Sequence, residues 1–315
     1  MLAEMHEIES PAFGEFQALG STIVVGVTAP DRLERVLAHV RARVNEIDRT
    51  LSRFRPDSEL RRLEATPGKP RQVTPLFMEA LDRSIQAAKS TGGLFDPTVR
   101  DAVEAAGYDR SIERLEAEGP GPARPTAPAG GWERIQYDPA WNIVTLPEGV
   151  RLDFGGIGKG LAVDYALRGL QREPFGVLVS AGGDLAVAGP APGEGWLCGI
   201  SVTADAPLVD TVLLSAGALA TSGLGRRQWR RDGRRLHHLI DPRSGLPAES
   251  PWQIVTVAAG SCVVAEVLAK AAWLLGEAGP DWLARRGFAG RFQDQQSGVV
   301  TVGAWPARVN DGDGA

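Results

Sequence analysis

Apolar residues recur along this chain with two spacings, and the switch between them predicts its elements. Leu33, Val36, Leu37, Val40, Val44, Ile47 and Leu51 stand three or four residues apart, one stripe of a helix that Asp31 opens as N-cap. A second helix opens at Thr74-Pro75, carries Phe77, Leu81, Ile85 and Ala88 on one face and stops at Gly92-Gly93. A third covers 161–170. The fourth, 262–275, is apolar or small at every position except Glu266 and Lys270, the pattern of a buried helix carrying two charges on one face. Between the helices, β-prone runs predict short strands over 16–27 (interrupted at Leu19-Gly20-Ser21), 142–146, 175–189 (turning at Ala181-Gly182-Gly183-Asp184), 196–202, 211–214 and 254–257. Ala220-Thr221-Ser222-Gly223 reads as a tight polar turn and 226–235 as a basic hairpin. Short strands, covering helices and hairpin-length connections predict an α+β fold with mainly antiparallel sheets.

The 315 residues suffice for a substantial core, and the 43% apolar and 23% charged content is that of an ordinary soluble globular protein. Residues 1–15 read as an N-terminal arm, 16–305 as a single domain and 306–315 as a tail. The segment 116–131 has almost no bulky apolar residue and many prolines and glycines, so it reads as a flexible surface insertion. A net charge of −5 excludes nucleic acid and anionic membrane as natural partners, so an anionic ligand must be held by local charge. Cys198 and Cys262 stand far apart and make neither a disulfide framework nor a metal cluster. The acids near the N-terminus and the lack of a long apolar run predict a cytoplasmic protein with no membrane segment.

Candidate chemistry gathers in three places. Asp153-Phe-Gly-Gly-Ile-Gly-Lys159-Gly-Leu-Ala-Val-Asp164 leads from a strand into a helix through four glycines in six residues. Such a turn suits close approach of the backbone to an anion, with Lys159 as a point charge; it equally suits a plain strand-to-helix turn with an exposed lysine. It is neither a Walker loop, which needs Gly at 153 and Ser or Thr at 160, nor the dinucleotide fingerprint, whose third glycine comes one residue later. Second, Glu266 and Lys270 are i,i+4 neighbours, and two charges on so apolar a helix must face each other, a ligand or a metal. Third, His237 and His238 are adjacent. On a strand they point to opposite faces, which rules out a shared metal site.

Taken in order, Ala18-Leu-Gly-Ser-Thr22, Leu51-Ser-Arg-Phe-Arg-Pro-Asp-Ser-Glu-Leu60, Gly93-Leu-Phe-Asp-Pro-Thr98, the 153–160 stretch, Ser180-Ala-Gly-Gly-Asp184, Ala220-Thr-Ser-Gly223, His238-Leu-Ile-Asp-Pro-Arg-Ser-Gly-Leu-Pro247 and Ala265-Glu-Val-Leu-Ala-Lys270 resemble the ApbE-type FAD:protein FMN transferases. The resemblance covers residues 16 to 280. It implies a duplicated, T-fold-like architecture with an FAD cleft between the halves. It also implies cleavage of the FAD pyrophosphate, release of AMP and attachment of FMN to a threonine of an acceptor flavoprotein. Residue by residue, it places Leu19, Phe54, Ala106, Gly107, Tyr108, Asp153, Lys159 and His238 on FAD. It makes His238 catalytic in transfer, and it gives magnesium the Gly156 carbonyl and the carboxylate of Glu266.

Two departures matter. Ala106 stands where the resemblance implies a Trp, which weakens flavin stacking there. Lys270 stands where it implies a Thr or Asp ligand to magnesium, and an ammonium cannot ligate a metal. Lys270 is therefore expected to occupy the place of one metal ion and to supply part of its charge in catalysis. The readings that compete with FMN transfer are FAD binding without catalysis, and an FAD pyrophosphatase with water as acceptor.

Overall fold

Eight strands form the central sheet of the computed structural model, which describes residues 10–120, 126–203, 205–225 and 227–307. They are β1 (Ala12–Ala18), β2 (Ser21–Val27), β3 (Val177–Ala181), β4 (Asp184–Ala188), β5 (Gly217–Gly223), β6 (Trp252–Ala259), β7 (Ala289–Asp294) and β8 (Val299–Val302). Each is hydrogen-bonded to the next in the chain, and every pairing is antiparallel. The connectivity repeats: strand pair, helical excursion, strand pair, first over β1–β4 and again over β5–β8. That is the duplicated α+β architecture the sequence implies.

The helices follow from the stripes. Helix α1 (Leu33–Leu51) buries Val36, Val40, Val44, Ile47 and Leu51. Helix α2 (Pro75–Thr91) buries Phe77, Leu81, Ile85 and Ala88; the Thr74 hydroxyl caps it and Gly92 ends it at φ 64°. Helices α3 (Gly158–Leu167) and α4 (Cys262–Leu274) pack on each other, α3 lying on β3 and β4 and α4 on β5 and β6. The opposite face is covered by a two-stranded ribbon, Trp196–Ser201 with Leu208–Leu214, whose Trp196 and Val212 pack on Leu178, Leu185 and Leu219. Both cysteines are free and buried.

The structure corrects several local expectations. Asp31 is not the cap of α1: Pro30–Arg32 forms a 3-10 turn, Arg32 is the N-cap, and Asp31 pairs with Arg32 at 3.0 Å. Ala220-Thr221-Ser222-Gly223 is not a turn but the end of β5, a central strand. Its small polar residues imitate a turn, yet at Gly223 a Cβ would strike the Ile254 backbone of β6 at 2.9 Å, so crowding between strands requires that glycine. A strand begins at Ala12, inside the stretch read as an arm. Of the segment read as an insertion, 116–118 close a helix, Ile112–Glu118, and 121–125 lie outside the described residues, as do 1–9 and 308–315.

Candidate active site

A cavity of about 310 Å3 opens between the two halves. The first half lines it with Leu19, Phe54, Tyr108, Asp153, Gly156 and Lys159, and the second half with Arg227, His238 and Lys270. One end is apolar and aromatic. The Phe54 and Tyr108 rings stand 5.7 Å apart, and the Arg53 guanidinium lies 4.2 Å from one centroid and 4.8 Å from the other. Arg53 fixes this end to the polar one: it donates to the Tyr108 carbonyl at 2.8 Å and pairs with Asp153 at 3.2 Å. Leu19 and Gly20 form the two-residue turn between β1 and β2, and Leu19 takes φ 54°, where a leucine is strained.

The polar end is built on the glycine-rich stretch, whose glycines all keep negative φ. They are needed for room instead. A Cβ at Gly160 would meet the Cys262 carbonyl at 2.8 Å, so this glycine lets α3 abut the start of α4. A Cβ at Gly156 would collide with the Lys270 ammonium and with Phe95 at 2.9 Å. Asp164, the last residue of the stretch, accepts from the Cys262 and Val263 N–H groups at 2.8 and 3.0 Å and so caps α4. The segment that forms the floor of the cavity thereby fixes the helix that carries Lys270.

Electrostatics then sorts the charged groups. Lys159 is bound to Asp184, and although burial opposes its charge, the Asp184 and Glu266 carboxylates hold its pKa above the ordinary lysine value. Glu266 accepts from the Gly160 N–H at 2.8 Å, and burial raises its pKa against the pull of Lys159. Lys270 pairs directly with neither. Burial lowers its pKa, Glu266 and Asp153 oppose that shift, and Lys159 and Arg227 add to it. His238 faces the cavity from the turn after the strand Arg234–His237, with Nδ1 at 3.3 Å from the Arg227 carbonyl. A carbonyl only accepts, so this bond puts the proton on Nδ1 and leaves the Nε2 lone pair bare. Burial, with Arg227 and Lys270, pushes the His238 pKa well below 6.5. His237 points the other way, edge-on to Trp273 at 5.7 Å.

Most of the residues singled out from the sequence therefore converge. Ala106, Gly107 and Glu266 do not line the cavity. The Ala106 carbonyl accepts from Trp229 Nε1 at 2.8 Å, and a Cβ at Gly107 would touch that same nitrogen at 3.0 Å, so both serve the packing behind Tyr108. The sequence reading missed Arg53, Arg227 and Asp164. Arg53 stood in a motif whose aromatic drew the attention, and Arg227 lies in a basic run with nothing local to mark one arginine.

The donor set does not fit the magnesium ion that the resemblance implies. Asp153 spends its oxygens on the Gly155 N–H at 2.6 Å and on Arg53. Asp184 spends its own on Lys159 and the Thr221 N–H at 2.9 Å. Glu266 is 4% exposed and gives one of its oxygens to the Gly160 N–H, and Lys270 brings a cation to Gly156. Among the described residues, no three His, Cys, Asp or Glu side chains are grouped to hold a metal. Magnesium needs near-octahedral oxygen, and this site offers an ammonium.

An aromatic end joined to a cationic end suits a ligand that couples a planar ring to phosphates, and comparison with known proteins agrees. The ApbE family model matches residues 19–292, and the chain belongs to that family. It is 26% identical over 257 residues to the FAD:protein FMN transferase of Haemophilus influenzae, covering 78% of this chain and 73% of that one. It is 27% identical over 283 residues to the enzyme of the same name from Treponema pallidum, covering 81% and 77%. Among solved structures, the fold is that of the Thermotoga maritima ApbE protein, with a TM-score of 0.80 at 24% identity over 93% of this chain and 97% of the other. The flavinyl transferase ApbE of Pseudomonas stutzeri superposes with a TM-score of 0.77 at 27% identity over 93% and 94%. Among the described residues, no helix is long and apolar enough to cross a membrane.

Proposed function

We propose that this chain transfers FMN from FAD to a threonine hydroxyl of an acceptor flavoprotein and releases AMP. The flavin ring sits at the aromatic end against Leu19, Phe54 and Tyr108. The pyrophosphate lies over the 153–159 floor beside Lys159 and Lys270. Ala106, Gly107 and Asp153 act through the parts they hold, the first two behind Tyr108 and the third through Arg53. The acceptor oxygen attacks the phosphorus on the FMN side, and His238 Nε2 takes the hydroxyl proton as the new O–P bond forms. The bridging P–O bond breaks, and AMP leaves with its electron pair.

The observation that carries this reading is His238 itself. It is a neutral imidazole whose Nδ1–H is held by a backbone carbonyl and whose free nitrogen belongs to the same cavity as an ammonium, which is the pairing of base and charge stabiliser that phosphoryl transfer asks for. The test is incubation of the full chain with FAD and a threonine-bearing acceptor, followed by intact mass and AMP release. One FMN on the acceptor per AMP is expected. Release of AMP and free FMN with the acceptor unmodified overturns transfer in favour of hydrolysis.

A further inference from the structure

The cations that line the cavity differ in whether a carboxylate touches them. Arg53 is paired with Asp153, and Lys159 with Asp184. Lys270 and Arg227 also line the cavity, and neither has an ion pair or a side-chain hydrogen bond among the described residues. Both are held in place. Lys270 rises from the buried helix α4 and is wedged against Gly156, its ammonium 5.8 Å from the Phe95 centroid. Arg227 sits on a loop that the Gln228 amide ties down by donating to the Leu224 and Gly225 carbonyls at 2.7 Å, and its own carbonyl orients His238. Arg227 and Lys159 act against the Lys270 charge, Glu266 and Asp153 support it without touching it, and an anion entering the cavity would meet two cations that have donors to give.

We infer that Lys270 and Arg227 form a metal-free clamp that neutralises the diphosphate of a dinucleotide. A diphosphate diester carries two negative charges. The pair supplies two positive ones, carried by a buried helix and a tied-down loop, so the charge of the diphosphate is met without a divalent ion. Arginine contributes a planar fork of donors to phosphate oxygens, and lysine a point charge. The clamp rests on the reading that FAD binds in this cavity, and it adds that binding and turnover need no magnesium.

The experiment is calorimetric titration of the full chain with FAD and with riboflavin, in chelator and then in magnesium. The clamp predicts the same FAD affinity in both buffers. It predicts that Lys270→Met and Arg227→Gln each weaken FAD by about tenfold or more, the effect of losing a charged hydrogen bond. Riboflavin, which has no phosphate, should bind all three proteins alike. Folding of the variants is read independently from riboflavin binding and from melting, and Lys270→Met, which keeps the shape and removes an unpaired cation, should melt no lower than the parent. FAD binding that appears only with magnesium overturns the clamp and leaves the transferase reading standing. Equal losses of FAD and riboflavin in the variants also overturn it, by marking the two residues as structural. Failure of FAD to bind in either buffer overturns both readings.

Discussion

The Lys270 ammonium occupies the space that a side chain at position 156 would fill, so Gly156 and Lys270 are one steric unit. Gly156→Ala puts a methyl into that space and against the edge of Phe95 at 2.9 Å. The flexible tip of Lys270 gives way more easily than the packed ring. We expect a loss of about 1–3 kcal/mol in urea unfolding, the range for overpacking. If the lysine tip is the main obstacle, Gly156→Ala combined with Lys270→Ala is less destabilised than the sum of the single changes by about 0.5 kcal/mol or more. A strictly additive pair makes the Phe95 ring the main obstacle instead.

The same pair shows how far the sequence was legible. The stripes of α1 and α2 and the nearly unbroken apolar run of α4 announce the helices, and eight ordered motifs announce the site. What stayed hidden depended on distant partners. The glycines of 155–160 suit an anion cradle or a plain strand-to-helix turn equally, and only the fold adds that two of them leave room for α4 and its lysine, about a hundred residues away. Asp164 looked like an ordinary helix residue and caps α4. The end of β5 reads as a turn because its residues are small and polar, and the close approach of β6 that requires Gly223 has no local signature.

Lys159 also changes meaning once its partner is known. The sequence suggests only a point charge for an anion; in the fold the same lysine lines the cavity and is also bound to Asp184, a side chain only 1% exposed. Lys159→Met leaves that carboxylate with the Thr221 N–H and no cation in contact. Removing one partner of a buried pair costs about 3–5 kcal/mol. We therefore expect Lys159→Met to show a large drop in unfolding free energy, measured in urea without ligand. A variant as stable as the parent, with FAD affinity alone reduced, makes Lys159 a ligand contact only.

Leu19 combines a strained backbone with a place in the cavity, and the two can be separated. Asn at 19 makes Asn-Gly, the favoured pair for a two-residue hairpin turn, and relieves an αL cost of about 1–2 kcal/mol for an ordinary L-residue. Leu19 also packs against the first core, so Leu19→Asn loses apolar contact in exchange. The two effects offset, and stability should change by less than about 1 kcal/mol. Flavin affinity has no such compensation and should fall for riboflavin and FAD alike. Unchanged riboflavin binding makes Leu19 a turn residue only.

His238 gives the pH dependence its sign. Burial, Arg227, Lys270 and His237 all act to lower its pKa, while the Arg227 carbonyl on Nδ1 acts weakly the other way, and the result lies well below the ordinary 6.5. In the free protein Nε2 is therefore ready to accept a proton at neutral pH and stays so into the acid range. The acid limb of kcat/KM, which reports the free enzyme, should lie well below pH 6.5. Lys270→Met and Arg227→Gln each remove a cation that depresses His238, so each should move that limb upward toward 6.5. His238→Ala should lower the rate about 10²–10⁴-fold at its optimum and leave FAD affinity nearly intact. Stability follows the same group. Below pH 6.5 the unfolded chain takes up a proton that the folded chain refuses, so folding free energy falls as pH falls from 6.5 toward the depressed value, by at most about 1.4 kcal/mol per pH unit for this group. His237, lowered by its own burial, adds a loss of the same sign. An acid limb at or above 6.5 in the parent, unmoved by either cation variant, would remove His238 from the role of base.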